Sequence, residues 1–336
     1  MQPDFKEKYR ELCRQRADIP LFIQDWWMDA VCDTNEWNVL MHNIGDKLAG
    51  VLVYQLVKRQ GFSIIVQPSF TQTTGIWLNY PENVSHTKKL DFENTVCNEL
   101  INQIEALDVS YFDQNFNPRY TNWLPFYWRD FSQTTRYSYQ ITDLSDLNRC
   151  FENFTYAKRK QINKAKGTLH TVFDMSADDF YKHVEINLKK KKDDEVGFSR
   201  DIFFRLYNAC TKRGQGKIIA IADDENNIHA ALFLVWDDKV AYNLVSSIDP
   251  DFKSSGASTL VVWEAINDMA KHVNVFDFEG SMEKGTERSF RQFGTVQIPY
   301  FRIYKYNSQV LRMLLALKKQ ATNKNQKSEK KLKTES

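Results

Sequence analysis

A chain of 336 residues is long enough for two domains or one large one, and its 42% hydrophobic and 14% aromatic content excludes a disordered composition. Its longest apolar runs, such as residues 229–236, are too short to span a bilayer. The net charge of +2 divides unevenly: seven Lys and two Glu from Lys318 onward give that segment +5 and leave the remainder near −3, so overall charge makes no case for nucleic acid.

The charged N-terminus lacks an apolar core, so no secretory signal is expected. Five widely spaced cysteines without a CxxC fit a reduced, cytoplasmic chain with neither a disulfide framework nor a zinc knot. Helices are expected over 3–16 and 20–32, followed by three strands, WNVLMHNI, KLAGVLVYQLVK and FSIIVQPSF, the first two joined by a Gly-Asp hairpin signal. Apolar residues at 96, 100, 101, 104 and 107 have helical spacing across 92–107. A strand VSYFDQNF, a short aromatic helix around Pro125 and a strand RYSYQITDL complete the first half.

The pattern then resets. Residues 145–167 are expected to form one helix with a basic face, ending at Gly167 in a C′ position. A strand LHTVFDMS and two helices follow, then three strands separated by polar turns, which predicts an antiparallel meander. A loop DPDFKSSG leads into a helix, and the chain goes on to a strand VFDFEG, a short helix TERSFRQF and a strand IPYFRIYKY. The two halves share an order of elements without visible sequence likeness. The expected organisation is two α/β (α+β) modules with mixed, largely antiparallel sheets, at 1–145 and 146–307. An amphipathic helix at 308–319 follows, docked on the body or lying on a membrane surface as a peripheral contact, and then a disordered basic tail at 320–336.

This layout, with YAKRKQINKAKG (156–167), the stretch 210–247 and FDFEGSMEKGTERSFRQFG with PYF at 299–301, resembles the GNAT acyltransferase superfamily and its two-module, Fem-type branch. That branch includes the aminoacyl transferases of peptidoglycan bridges. The resemblance implies tandem GNAT-like modules and an acyl or aminoacyl transfer to an amine; a fold alone does not fix chemistry.

Four stretches carry candidate sites. Residues 251–259 lie between a strand and a helix, where free amides and the helix dipole favour an anion. Gly256 permits close approach, Lys253 adds charge, and Ser254, Ser255 and Ser258 add hydroxyls; an ordinary Ser-rich N-cap is the alternative. In GNAT enzymes this turn holds the pyrophosphate of acyl-CoA. The resemblance maps that role onto Lys253, Ser255, Gly256, Ala257 and Ser258, with Lys for Gln/Arg and Ser for Gly/Ala as departures. It also places Leu244, Val245 and Ser246 beside the pantetheine arm, with Tyr242 and Asn243 near the cleft.

Alternation along VFDFEG puts Val275, Asp277 and Glu279 on one face and Phe276 and Phe278 on the other. A partly buried carboxylate can take the proton of an attacking amine, which makes Glu279 the candidate base and Asp277 the second. Ser281 is the candidate donor to a leaving group or oxyanion, and Arg288 and Arg291 are candidate anion holders. The alternative is an acid–arginine pair that pins the helix to the sheet. Finally, Lys158, Arg159, Lys160, Lys164 and Lys166 make a basic helix face suited to a phosphorylated substrate, lipid head groups or tRNA, or simply solvated.

No GxSxG, HExxH or Cys/His cluster occurs, so no metal is expected. The expected function is direct acyl transfer from acyl-CoA to a small-molecule or cell-wall-precursor amine. The alternatives are an aminoacyl-tRNA donor and a GNAT-fold binding protein without catalysis.

Overall fold

The structure, a computed structural model, describes residues 5–33, 35–192, 196–280 and 282–318. The first half contains α1 (Lys6–Gln15), α2 (Asp25–Val31), β1 (Trp37–Ile44), β2 (Lys47–Arg59), β3 (Phe62–Val66), β4 (Gly75–Leu78), α3 (His86–Ala106), β5 (Tyr111–Asn115), α4 (Leu124–Tyr127) and β6 (Ser132–Ile141). The second contains α5 (Leu147–Asn153), α6 (Tyr156–Lys166), β7 (His170–Val172), α7 (Ala177–Lys192), α8 (Arg200–Lys212), β8 (Gly216–Ala222), β9 (Ile228–Trp236) and β10 (Val240–Ile248). It continues with α9 (Ala257–Met269), β11 (Val275–Asp277), α10 (Lys284–Arg291) and β12 (Val296–Tyr306), and closes on α11, residues 309–318. The expected tail at 320–336, and residue 319 of the expected closing helix, lie outside the described residues.

The mixed α/β class and the expected order of elements are found. The hairpin turns at Gly45, with Ile44 opposite Lys47, and β8–β9–β10 form the antiparallel meander. Local physics overrides the periodicity in three places. The helix expected over 20–32 divides into a 3-10 turn (Leu21–Ile23) and α2, because Gln24 is extended at ψ 143. The helix expected over 145–167 breaks at Phe154 and Thr155, both extended, where Phe154 turns inward against Trp263 and Phe293 at ring distances of 5.4 and 5.1 Å. Gly167 keeps a right-handed φ of −80, so no left-handed cap forms there.

All strands join one sheet in the order β1-β2-β3-β5-β12-β6-β11-β10-β9-β8-β7, with β4 paired to β2. Among the described strands only β3/β5 and β10/β11 run parallel. At the centre the last strand of each half crosses over: β12 pairs with β5 of the first half, β6 pairs with β11 of the second, and β6 and β12 pair with each other.

Alternation along the strands feeds cores on both faces. Val51 and Val53 join α1, α2, α7 and α8 on one face together with Ala220 and Phe233. On the reverse face Leu52 and Tyr54 meet α3 and α4, while Ile219 and Leu232 meet α5, α6 and α9. Helices of both halves thus pack into one core, and the strand exchange leaves the joint between halves without a sheet edge.

Candidate active site

Parallel strands β10 and β11 are paired only from Val240–Val275 to Tyr242–Asp277. Beyond that point they part. Strand β10 continues to Ile248 on β9, with a bulge at Leu244, while the other chain turns away: Phe278 N donates to Tyr139 O of β6 at 2.9 Å. Glu279 and Gly280 adopt left-handed φ values of 62 and 85. Only glycine fits at 280, because a Cβ there would lie 2.7 Å from Ser138 Cα and closer still to Tyr137 O. Among the described residues no hydrogen bond joins 243–248 to 278–280, so a wedge opens between the strands.

The first half has the same divergence after Ile65 and Phe112, but it is closed. There Gln67 Oε1 accepts from Asn115 N at 2.9 Å and Thr74 Oγ1 at 3.1 Å, and its amide donates to Thr71 O at 2.8 Å. The side chain stitches loop 67–74 across the gap.

Asp277 sits at the floor of the open wedge and is buried, with 2% exposure. It accepts from Ser138 Oγ, from Gln140 Nε2 at 2.7 Å and from Glu279 N at 2.7 Å. Burial raises its pKa above the ordinary value, and these bonds pull it back. Glu279 is half-buried as a residue, yet its Oε1 is sealed from solvent and has no partner among the described residues. Burial first, and the Asp277 charge second, hold its carboxyl well above the usual range. Its carbonyl is fixed by Gln72 Nε2 of the first half.

Among the described residues neither acid pairs with an arginine. Arg288 is exposed without an ion pair among the described residues, and Arg291 bonds Glu287 within α10 at 3.2 Å. The acid–arginine pin weighed from sequence is therefore absent there. Ser281 lies outside the described residues.

Across the wedge, Gly256 caps α9 with φ 86, and its missing Cβ would lie 2.8 Å from Gln161 O and 3.3 Å from Ala165 Cβ. The glycine is demanded by contact with α6 as well as by its φ. Ser255 Oγ accepts from Ala257 N at 3.2 Å, Ser258 is half-buried, and Lys253 and Ser254 are exposed beside the turn. Lys158 of α6 reaches under this helix end. It is 7% exposed, 3.3 Å from Thr259 Oγ1, 3.2 Å from Ser289 Oγ and 4.4 Å from the Phe293 ring centre. No carboxylate pairs with it among the described residues, and burial pulls its pKa down to about 8. A buried cation beside the positive end of a helix is electrostatically incomplete without an anion.

Arg159 and Lys164 divide. Arg159 donates to the carbonyls of Glu152 and Phe154 at the end of α5, whereas Lys164 is exposed. On β10, Leu244 and Val245 are half-buried, Ser246 is exposed and bonds Asn243 Oδ1 at 2.9 Å, and Tyr242 packs on Phe22 at 4.7 Å. Tyr242 and Asp277 also line a cavity of ≈ 350 Å³ between the halves, with Gln72, Arg119, Gln140 and Lys239 among its other walls. Sequence reasoning missed Gln72, Ser138, Gln140 and Arg119. All four lie in the first half and reach the site only through the exchanged strand and its neighbouring loops, which no local pattern announces.

Residues 151–291 match the model of the acetyltransferase (GNAT) domain family. That segment, somewhat under half of the chain, is similar to GNAT acetyltransferase domains. The matched segment contains the wedge, the α9 turn and both acids. No curated protein matches the chain. Among solved structures, FemX superposes with a TM-score of 0.63 at 10% identity, covering 90% of this chain and 96% of that one. L-PGS from Bacillus licheniformis gives 0.55 at 11% identity, over 94% and 96% of the two chains. A tandem GNAT protein from the clavulanic acid biosynthesis pathway gives 0.50 at 10% identity, over 88% and 92% of the two chains. At these identities the likeness is one of fold, a tandem GNAT arrangement shared with those structures.

Proposed function

We propose that this GNAT protein transfers an acyl group from acyl-CoA to an amine by direct attack, using the wedge of its second half. The observation that carries the donor is Lys158, buried at the positive end of α9 with hydroxyl partners and no carboxylate. A phosphate placed there would complete its electrostatics, with Ser255, Ala257 and Ser258 at the turn and Lys253 outside it. Leu244, Val245 and Ser246, on the unpaired edge of β10, would face the pantetheine arm.

In the reaction the amine nitrogen bonds to the thioester carbon and the carbon–sulfur bond breaks. The amine proton passes to the Glu279 carboxylate, directly or through water, and the thiolate leaves as CoA. A pKa well above the ordinary value makes Glu279 a stronger base once ionised. Asp277, fully bonded, positions the Glu279 backbone. Arg288, exposed and unpaired among the described residues, is the candidate holder of substrate or developing charge, with Arg291 tied to Glu287 beside it.

CoA binding tests the donor. CoA should raise the melting temperature of the protein, and Lys158→Met should abolish that rise while leaving the protein folded. Because the Lys158 amine has a pKa near about 8, a bound phosphate favours its charged form. The CoA-induced rise should therefore be larger at pH 7 than at pH 9. Equal stabilisation of the wild type and Lys158→Met would remove the donor assignment. Gly256 is a poorer probe, since any side chain there strikes α6.

A second reading has an observation of its own. The cavity between the halves carries Arg119 and Lys239, which suits an anionic acceptor such as a cell-wall precursor. Aminoacyl-tRNA as donor would then require salt-sensitive RNA binding that Lys164→Glu weakens.

A further inference from the structure

Helix α11 docks on the body by one side only. Ser308 Oγ accepts from Leu311 N at 3.3 Å to start it, and Leu311 fills a small cluster with Val57, Ile64 and Tyr111. Val310, Met313, Leu314 and Leu317 point the other way, with exposures of 56, 60, 47 and 62%. Their spacing of i, i+3, i+4 and i+7 makes a continuous apolar stripe on solvent. Four large apolar side chains in one exposed stripe are not a scattered surface average. The sequence from Lys318 onward then supplies seven lysines against two glutamates, while the rest of the chain is near −3. The positive charge of the molecule is thus concentrated directly after its exposed apolar helix.

We propose that α11 is a peripheral anchor for an anionic lipid surface, to which the lysine-rich sequence from residue 318 onward adds attraction. The helix would lie in the plane of the headgroups with its apolar stripe dipping toward the acyl chains, and the net charge of the sequence after it would favour anionic lipid. No helix of the described residues is long and apolar enough to cross a membrane, so the contact is peripheral. A second copy of the chain is the less favourable occupant, because a symmetric contact through α11 would bring two +5 segments together. The anchor is independent of the acyl donor: either donor reading can fail without affecting it.

Flotation of the full chain with vesicles tests the anchor. The protein should float with phosphatidylglycerol–phosphatidylcholine vesicles at low salt and stay behind with pure phosphatidylcholine. High salt should release it. The double substitution Met313→Asp, Leu317→Asp should cut the bound fraction about ten-fold. Both side chains are mostly exposed, so its melting temperature should match the wild type. Failure to float on the anionic vesicles would overturn the proposal, as would flotation that the double substitution leaves unchanged. A concentration-dependent dimer that the same substitution dissolves, without vesicle binding, would overturn it in favour of self-association.

Discussion

Glu279 combines three unfavourable features for an ordinary residue: a left-handed backbone, a sealed carboxyl oxygen without a partner among the described residues, and a second acid two residues away. Strain and desolvation of this kind gather at functional sites, where the surrounding structure holds them in place. They also carry a stability cost with a definite pH sign. The folded pKa lies above the ordinary 4.5, so folding favours the protonated form. Stability is then full at low pH and declines as pH rises from that value toward the folded pKa. Glu279→Gln, which is always neutral, should melt about 2 °C above the wild type at pH 8, and the gap should close as pH falls toward 5. The same variant should lose about 100-fold or more in acyl-transfer rate. A rise in stability with retained activity would leave Glu279 as strain without a catalytic role. At this scale the sequence was partly legible. Alternation identified both acids, but it could not show that Asp277 is satisfied by Ser138 and Gln140 or that Glu279 Oε1 has no partner among the described residues. Those partners lie more than a hundred residues away.

Among the elements, the wedge depends on how abruptly the chain leaves β11. Gly280 crosses the β6 backbone where no side chain fits, and the exit of Phe278 to Tyr139 starts the crossing. Gly280→Ala should therefore destabilise the protein by about 2–4 kcal/mol in urea unfolding. Gly285→Ala is the control: it sits in α10 with open space around it, and should instead stabilise by up to about 1 kcal/mol. Strands and long helices were legible because their patterning is local, as in β9, which matches the stretch of alternating core contacts almost residue for residue. The break between α5 and α6 was not, because the buried partners of Phe154, Trp263 and Phe293, come from α9 and the chain after α10. The short β4 was missed because four residues are too short a run to signal a strand, and its pairing partner β2 lies more than twenty residues back.

Across the whole molecule, the two halves share a plan and differ in what fills it. The first wedge is stitched shut by Gln67, while the second is open, and the same half holds a buried lysine at the first turn of α9. The exchange of β6 and β12 then brings first-half residues Gln72 and Arg119 to the second half's site. Repetition of element order revealed the tandem plan in the sequence, but the exchange is a long-range pairing and leaves no trace in either strand alone. On the proposed reading the asymmetry puts the chemistry in one wedge, and a crystal structure with CoA bound tests that reading most directly. The account predicts the CoA phosphates beside Lys158 and the first turn of α9, with the thiol arm running along Leu244 to Ser246 toward Glu279. CoA seated in the first half, or in the cavity of Arg119 and Gln140 with Lys158 untouched, would contradict it.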